Sequence, residues 1–425
     1  MHHTTSLKYL STALAAAALA ACGGGGSSDS GTTPTPTPPA STSKFTQNAT
    51  WQFTLPAAGQ SVCYDFDAKA EVAGCSGTGW DIKLTSSGRT AALYTNSGPS
   101  GGGKGAALGT PFTYKWADLL NYKDATLDPA SGQAVPDRAW MADTAKSVFT
   151  GSNGIQSAVF EYDLTGNNQL HPNFNVFLVT TNSDSADITG AGGKVYAVQI
   201  TGYYGSPTGT TSGWPSFRWV NTASPGNVLS TPAGGIDATG GWVYYDLENN
   251  AKTTESGTWH IAFNRYNVKL NGGASGSAKV AGFLGKKPAG FYDADGKPVT
   301  AKFTAASNLN DTLADLTGAK TGPATASAWV KDSIGSALTP DYTGTYPNPL
   351  NYGWFTYYPT AATAAAAGVV QHQIKANPDA GTLVKSGAGN SYARMRLAEI
   401  KYADPASATS AQTWTVEFGI QPAAN

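Results

Sequence analysis

The chain has 425 residues, a formal net charge of −1 and only 13% charged side chains, so it offers no basic surface for a nucleic acid. Glycine (50), tyrosine (20) and tryptophan (11) are plentiful, and strongly periodic helical stretches are few. This composition predicts an all-β exported protein with minor helix, long enough for two or three domains.

Residues 1–21 read as an export signal: Lys8 precedes an alanine- and leucine-rich core, Leu10 to Ala21, too short to span a bilayer as a mature helix. The core ends in Leu19-Ala20-Ala21-Cys22, which resembles the lipobox of bacterial lipoproteins, where small residues admit the peptidase and the thiol accepts a diacylglycerol. Cys22 is therefore the expected lipidation site. Gly23 follows it where an inner-membrane retention signal would favour Asp, so the expected location is the outer membrane, facing the cell surface. Fatty acyl chains anchor through roughly 0.8 kcal/mol per buried methylene. Residues 22–44 are Gly, Ser, Thr and Pro with almost no apolar content, the composition of a disordered tether.

Two cysteines then remain, Cys63 and Cys75. In an oxidising compartment a disulfide between them is favoured, at roughly 3 kcal/mol if unstrained. A two-cysteine metal site is the rival, with no nearby His or third Cys to support it.

The longest patterned stretch is Thr258-Trp-His-Ile-Ala-Phe-Asn-Arg-Tyr-Asn-Val-Lys-Leu-Asn-Gly-Gly-Ala-Ser-Gly276. Trp259, Ile261 and Phe263 alternate with His260, Ala262 and Asn264, the two-residue period of a strand with one buried face. Val268 and Leu270 carry the alternation on to Asn271-Gly272-Gly273. A shorter copy, Gly79-Trp80-Asp81-Ile82-Lys83-Leu84, lies earlier in the chain. Other blocks recur in the same order: Val62-Cys-Tyr-Asp-Phe66 with Val243-Tyr-Tyr-Asp-Leu247, Ala139-Trp140 with Ala328-Trp329, Phe160-Glu-Tyr162 with Phe355-Thr-Tyr357, and Gly193-Lys-Val-Tyr-Ala197 with Gly389-Asn-Ser-Tyr-Ala393. The preserved order predicts two homologous antiparallel β domains, 45–230 and 235–425, joined through Thr231-Pro-Ala-Gly-Gly235. Helix is expected at Ser307 to Leu316, with Leu309, Leu313 and Leu316 on its apolar face, and more weakly at Thr113 to Tyr122. Ala361 to Ala367 fits a helical turn or a loop equally.

Gly235-Ile-Asp-Ala238, Trp242-Val-Tyr-Tyr-Asp246, the Trp259 block and the closing Trp414-Thr-Val-Glu-Phe418 together resemble the HmuY family of haem-binding surface lipoproteins. The resemblance covers the second copy nearly end to end and the first more faintly. It implies an all-β fold whose open end grips haem, working beside a TonB-dependent haem receptor and drawing haem from host or environmental haemoproteins. One haem is expected, in the second domain. The chain departs from the family in two places. The Asp that usually follows the central Trp is kept as Asp81 but is His260 in the second copy. Positions near Asp163-Leu164 and Tyr358-Pro359, where the family's prototype places an iron-binding histidine, carry none.

Three histidines follow Cys22: His171, His260 and His372. Imidazole binds iron when neutral, so all three are candidate haem-binding residues, and His372, beside the aromatic Tyr357-Tyr358 strand end, is the first choice as iron ligand. His260, next to Trp259 on the opposite strand face, is expected at the surface. Met141 and Met395 qualify as ligands by type. Arg265-Tyr266 and Tyr392-Ala-Arg394 are candidates for the haem propionates. No Gly-x-Ser-x-Gly, His-Glu-x-x-His or phosphate loop is present, since Gly101-Gly-Gly-Lys-Gly105 lacks the following Ser/Thr, so no catalytic role is expected. The alternative is a non-catalytic binder of glycan or protein through exposed aromatic loops.

Overall fold

The computed structural model describes residues 42–151 and 158–424. The signal segment, Cys22 and the tether up to residue 41 lie outside the described residues. The last tether residues are packed: Lys44 donates its backbone N–H to Lys123 O at 2.7 Å and pairs with Asp124 at 2.6 Å.

The protein is mostly antiparallel β-sheet with minor helix. Two long sheets dominate. In one, the strands run Gln47–Thr54, Gln412–Gln421, Tyr392–Tyr402, Ala380–Lys385, Ala106–Leu108 and Trp140–Met141. In the other they run Leu229–Ser230, Thr211–Asn221, Val195–Gly205, Val176–Thr180 and Ala281–Lys286. Each is faced by a four-stranded sheet of matching order. These are Ala70–Glu71, Ser61–Asp65, Ile82–Ser86, Ala91–Thr95, and Ala251–Thr253, Val243–Asp246, Ile261–Asn264, Asn267–Leu270.

These pairings place the cores differently from the expected division at 230/235. Trp51, Tyr64, Ile82 and Leu93 from the beginning of the chain share one core with Trp354, Met395, Trp414 and Phe418 from its end. Phe149, Phe177, Tyr196 and Trp219 share a second with Tyr245, Ile261, Phe263 and Leu270. We call these the outer and the inserted lobe. Each lobe thus takes its small sheet from one half of the chain and most of its large sheet from the other. The chain crosses twice, at Thr144–Lys146 and Ser333–Gly335, and the crossing segments pair antiparallel with Ala145 opposite Ile334. The segment expected to be a linker is packed as well: Thr231 is buried and donates its N–H to Phe217 O at 3.0 Å, and Ile236 donates to Pro215 O at 3.0 Å. Local sequence similarity cannot distinguish a repeat that folds on itself from one that exchanges halves, because the interfaces are the same in both.

Local expectations change in three places. The Trp259 block is a hairpin rather than one strand: Ile261–Asn264 pairs with Asn267–Leu270 around Arg265-Tyr266, where Arg265 has φ 53°. The positions facing the hydrophobic core shift from odd (261, 263) to even (268, 270), a phase change that a continuous strand does not allow. His260 precedes the strand and is buried at 5% exposure, not at the surface. The helix expected at 307–316 is broken at Thr312 into Asn308–Asp311 and Leu313–Thr317; only Leu316 is buried, while Leu309 and Leu313 are exposed. In the 113–122 stretch only Trp116–Leu119 is helical, and Ala361–Ala367 is a helix capped by the Thr360 hydroxyl and ended by Gly368 at φ 74°. Cys63 and Cys75 form a disulfide with Cα atoms 5.3 Å apart.

Candidate functional site

The two small sheets carry the same framework of buried polar bonds. Asn96 and Asn271 donate their amides to Trp80 O and Trp259 O, at 2.7 and 3.1 Å. Asp143 and Asp332 accept from Thr95 N–H at 3.1 Å and Leu270 N–H at 2.8 Å. Gly98 and Gly273 lie at φ 50° and 62° against these aspartates, so close that a Cβ would overlap the Asp143 or Asp332 carbonyl oxygen. The carboxylate of Asp81 accepts from Phe66 N–H at 2.9 Å and from Gly387 N–H at 2.8 Å. At the matching place His260 Nδ1 accepts from Leu247 N–H at 3.2 Å and lies 3.4 Å from Asp246. Burial lowers the His260 pKa below its ordinary value, against the opposing charge of Asp246. Its ring meets Tyr196 edge-on at 5.3 Å. The exchange of Asp81 for His260 between the two sheets is therefore a change of acceptor in a structural bond. His260 is neutral and internally engaged.

His372 and His171 sit on matching hairpins in different lobes. In the inserted lobe Phe160–Tyr162 pairs with Leu170–Pro172; in the outer lobe Phe355–Tyr357 pairs with Ile374–Ala376. Tyr204 hydroxyl accepts from Leu170 N–H at 3.0 Å, and Tyr402 hydroxyl from Ile374 N–H at 2.9 Å, which fixes the alignment. His372 then matches Asn168, and both have positive φ, 70° and 56°. Asn168 accepts from Tyr162 hydroxyl at 2.9 Å, while His372 Nδ1 shares a 2.8 Å bond with Tyr357 hydroxyl. His372 is exposed, and its Nε2 makes no hydrogen bond among the described residues.

His171 lies on a strand opposite Glu161, which accepts from Tyr292 hydroxyl at 2.8 Å. Its Nε2 is shielded from solvent without a partner among the described residues, and burial lowers its pKa. Each hairpin flanks a cavity at the same place in its lobe, marked by Asn377 and Asn173, whose amides bond Gly353 O and Ala158 O at 2.8 and 3.0 Å. The outer cavity, about 440 Å³, is lined by Phe112, Tyr114, Tyr358, Lys115 and Lys375. The inserted one, about 480 Å³, is more apolar, with Val148, Phe177, Leu284, Tyr292 and Lys287. His372 N–H donates to Tyr358 O at 2.8 Å, so it sits beside the wall of the outer cavity.

The remaining sequence candidates separate. Met395 is core (1% exposed) while Met141 is exposed. Arg394 is spent internally, donating to Tyr122 O at 2.6 Å and lying 3.8 Å over the Phe45 ring. Arg265 is at the surface, bonded to Ser212 hydroxyl at 3.1 Å. The outer cavity's lysines and its equivalence to the inserted cavity were not visible in the sequence, since their residues come from distant segments.

Residues 238–415 match the family model described as HmuY protein. That family is associated with haem binding and is a family of binding proteins. No curated protein and no solved structure gave a match. The matched stretch contributes one half to each lobe: its early strands pack in the inserted core and its late strands in the outer one.

Proposed function

We propose that this HmuY-like chain is a non-catalytic surface lipoprotein that captures haem and passes it to an outer-membrane haem uptake system. The match of residues 238–415 to a haem-associated family carries the reading, and the hairpin bearing His372 lies within that stretch. Haem supplies an iron that takes a neutral imidazole nitrogen as axial ligand. His372 suits that part: Tyr357 holds its Nδ1 at 2.8 Å, which orients the ring and leaves Nε2 for the metal. Phe112, Tyr114 and Tyr358 would flank an apolar ring, and Lys115 and Lys375 would meet the propionates. His260 is left out of the proposed site because it is buried and its Nδ1 already accepts Leu247 N–H. His171 belongs to the other lobe and would serve a site there.

Cys22 would hold the protein to the outer membrane, where a TonB-dependent receptor is the proposed recipient. Haemin titration of the full chain, oxidised and reduced, tests the reading. The parent should develop a shifted Soret band, and His372→Ala should alter it and weaken binding, whereas His260→Ala should not. A parent that never shifts the band overturns haem capture. Wild-type spectra and affinity in His372→Ala, His171→Ala and His260→Ala alike overturn histidine ligation. Cys22→Ser should leave the membrane fraction, and unchanged partitioning removes the anchor.

A further inference from the structure

The small sheet of the inserted lobe has two faces of different character. Val243, Tyr245, Ile261, Phe263, Val268 and Leu270 face the core. The opposite face carries Trp242, Tyr244, Asn264, Asn267 and Lys269, as the two-residue period and the pairings Tyr244↔Ala262, Ala262↔Lys269 and Asn264↔Asn267 require. This face is not left to solvent. It forms one wall of a cavity of about 470 Å³, and Gly98 and Pro99, together with Thr144 and Ala145 of the first crossing segment, form the other. That volume is within the range of small-molecule sites.

The cavity is built around a buried cation. Lys269 is 8% exposed, with Nζ 4.5, 4.8 and 5.5 Å from the ring centres of Trp242, Tyr244 and Trp259. Nζ donates to Tyr244 hydroxyl at 3.2 Å and lies 3.5 Å from Glu255. The aromatic cage that could hold a ligand cation is thus filled by the protein's own lysine. Anions gain little there, because Glu255 offsets that charge and Asp143 adds a carboxylate to the wall. Asp143 itself is spent on Thr95 N–H and Ser100 hydroxyl. What remains for a ligand is half-exposed Trp242 and the amides of Asn264 and Asn267, which make no hydrogen bond among the described residues, beside exposed Glu255, whose carboxylate keeps accepting capacity beyond its bonds to Lys269 and Tyr244.

The first repeat supplies an internal comparison. At the places of Trp242, Asn264 and Asn267 it has Ser61, Thr85 and Ala92, and Ser61 and Thr85 hydroxyls bond one another at 2.8 Å. The inserted lobe has instead an aromatic face beside a carboxylate and two amides that make no hydrogen bond among the described residues. We infer that this cavity binds a neutral saccharide, whose apolar ring face stacks on Trp242 while adjacent hydroxyls bond Asn264, Asn267 and Glu255.

The inference is independent of haem capture. The full chain should be titrated with D-glucose, D-galactose, D-mannose, N-acetyl-D-glucosamine and their β-linked disaccharides, read by tryptophan fluorescence and calorimetry. At least one should give saturable binding. Trp242→Ala and the double variant Asn264→Ala/Asn267→Ala should each weaken it by roughly tenfold or more, with the haemin response unchanged. Absence of saturable binding across the panel overturns the inference, as does undiminished binding in both variants.

Discussion

Asp81 and His260 hold the same backbone position in the two small sheets: the carboxylate accepts Phe66 N–H at 2.9 Å, and the imidazole Nδ1 accepts Leu247 N–H at 3.2 Å. Both are buried, at 4% and 5% exposure, so each bond replaces water that the amide has lost on folding. His260→Ala should therefore cost about 1–3 kcal/mol in denaturant unfolding. His260→Asp restores an acceptor and should recover part of that loss. Equal stability of parent and alanine variant would show that Leu247 N–H finds another partner.

The buried groups set opposing pH dependences. Burial pushes Asp81 and Asp332 up to about 7, so both take up protons on folding. Their contribution is complete below the unfolded value of 3.8 and is lost as pH rises through about 7. His260 is held below its ordinary value of 6.5, so its contribution is present above that pH and is lost as pH falls through the folded value. The melting temperature should therefore peak in mild acid. Asp81→Asn/Asp332→Asn should flatten the decline between about pH 4 and 7. A decline as steep as the parent's in the double variant would refute the assignment.

The crossing at Ala145 and Ile334 makes the two halves of the chain interdependent. A protease site placed at the exposed Pro225-Gly226 turn should give a nicked protein whose halves stay together in native buffer and part only in denaturant. Residues 235–425 expressed alone lack both partner halves and should not yield a folded monomer. Free separation of the nicked halves, or a cooperatively folding monomeric fragment, would contradict the exchanged arrangement.

His372 can be separated from its structural bond by copying the other hairpin. Asn168 occupies the matching place, has positive φ and bonds Tyr162 as His372 bonds Tyr357. His372→Asn should thus melt within about 0.5 kcal/mol of the parent while losing the imidazole. An altered haemin spectrum in this variant assigns a ligand role to the side chain, and an unchanged one removes it.

The Cys63–Cys75 disulfide ties the Ser61–Asp65 strand to the loop after Ala70–Glu71. Peptide mapping without reduction should find the two joined. Cys63→Ser/Cys75→Ser should lower stability by roughly 2–3 kcal/mol, and free thiols at both positions would refute the pairing.

The sequence by itself determined the all-β character and the disulfide partners, because strand periodicity, turn residues and short spacings are local properties. The hairpin at Arg265-Tyr266 was missed, because the apolar alternation was read straight through from Phe263 to Val268 and Leu270. The tertiary structure decided where the cores lie. Strand 106–108 pairs with 380–385 and strand 281–286 with 176–180, across sequence distances that no local pattern records. It also decided what the histidines do. His260 turned from an expected surface residue into a buried acceptor, because its surroundings come from Leu247, Asp246 and Tyr196. His372 turned out to share its place with Asn168, since backbone conformation and a tyrosine bond, not residue type, define that position. Similar segments in the two halves of the chain present similar interfaces to either partner, so only the packing of the whole chain selects between them.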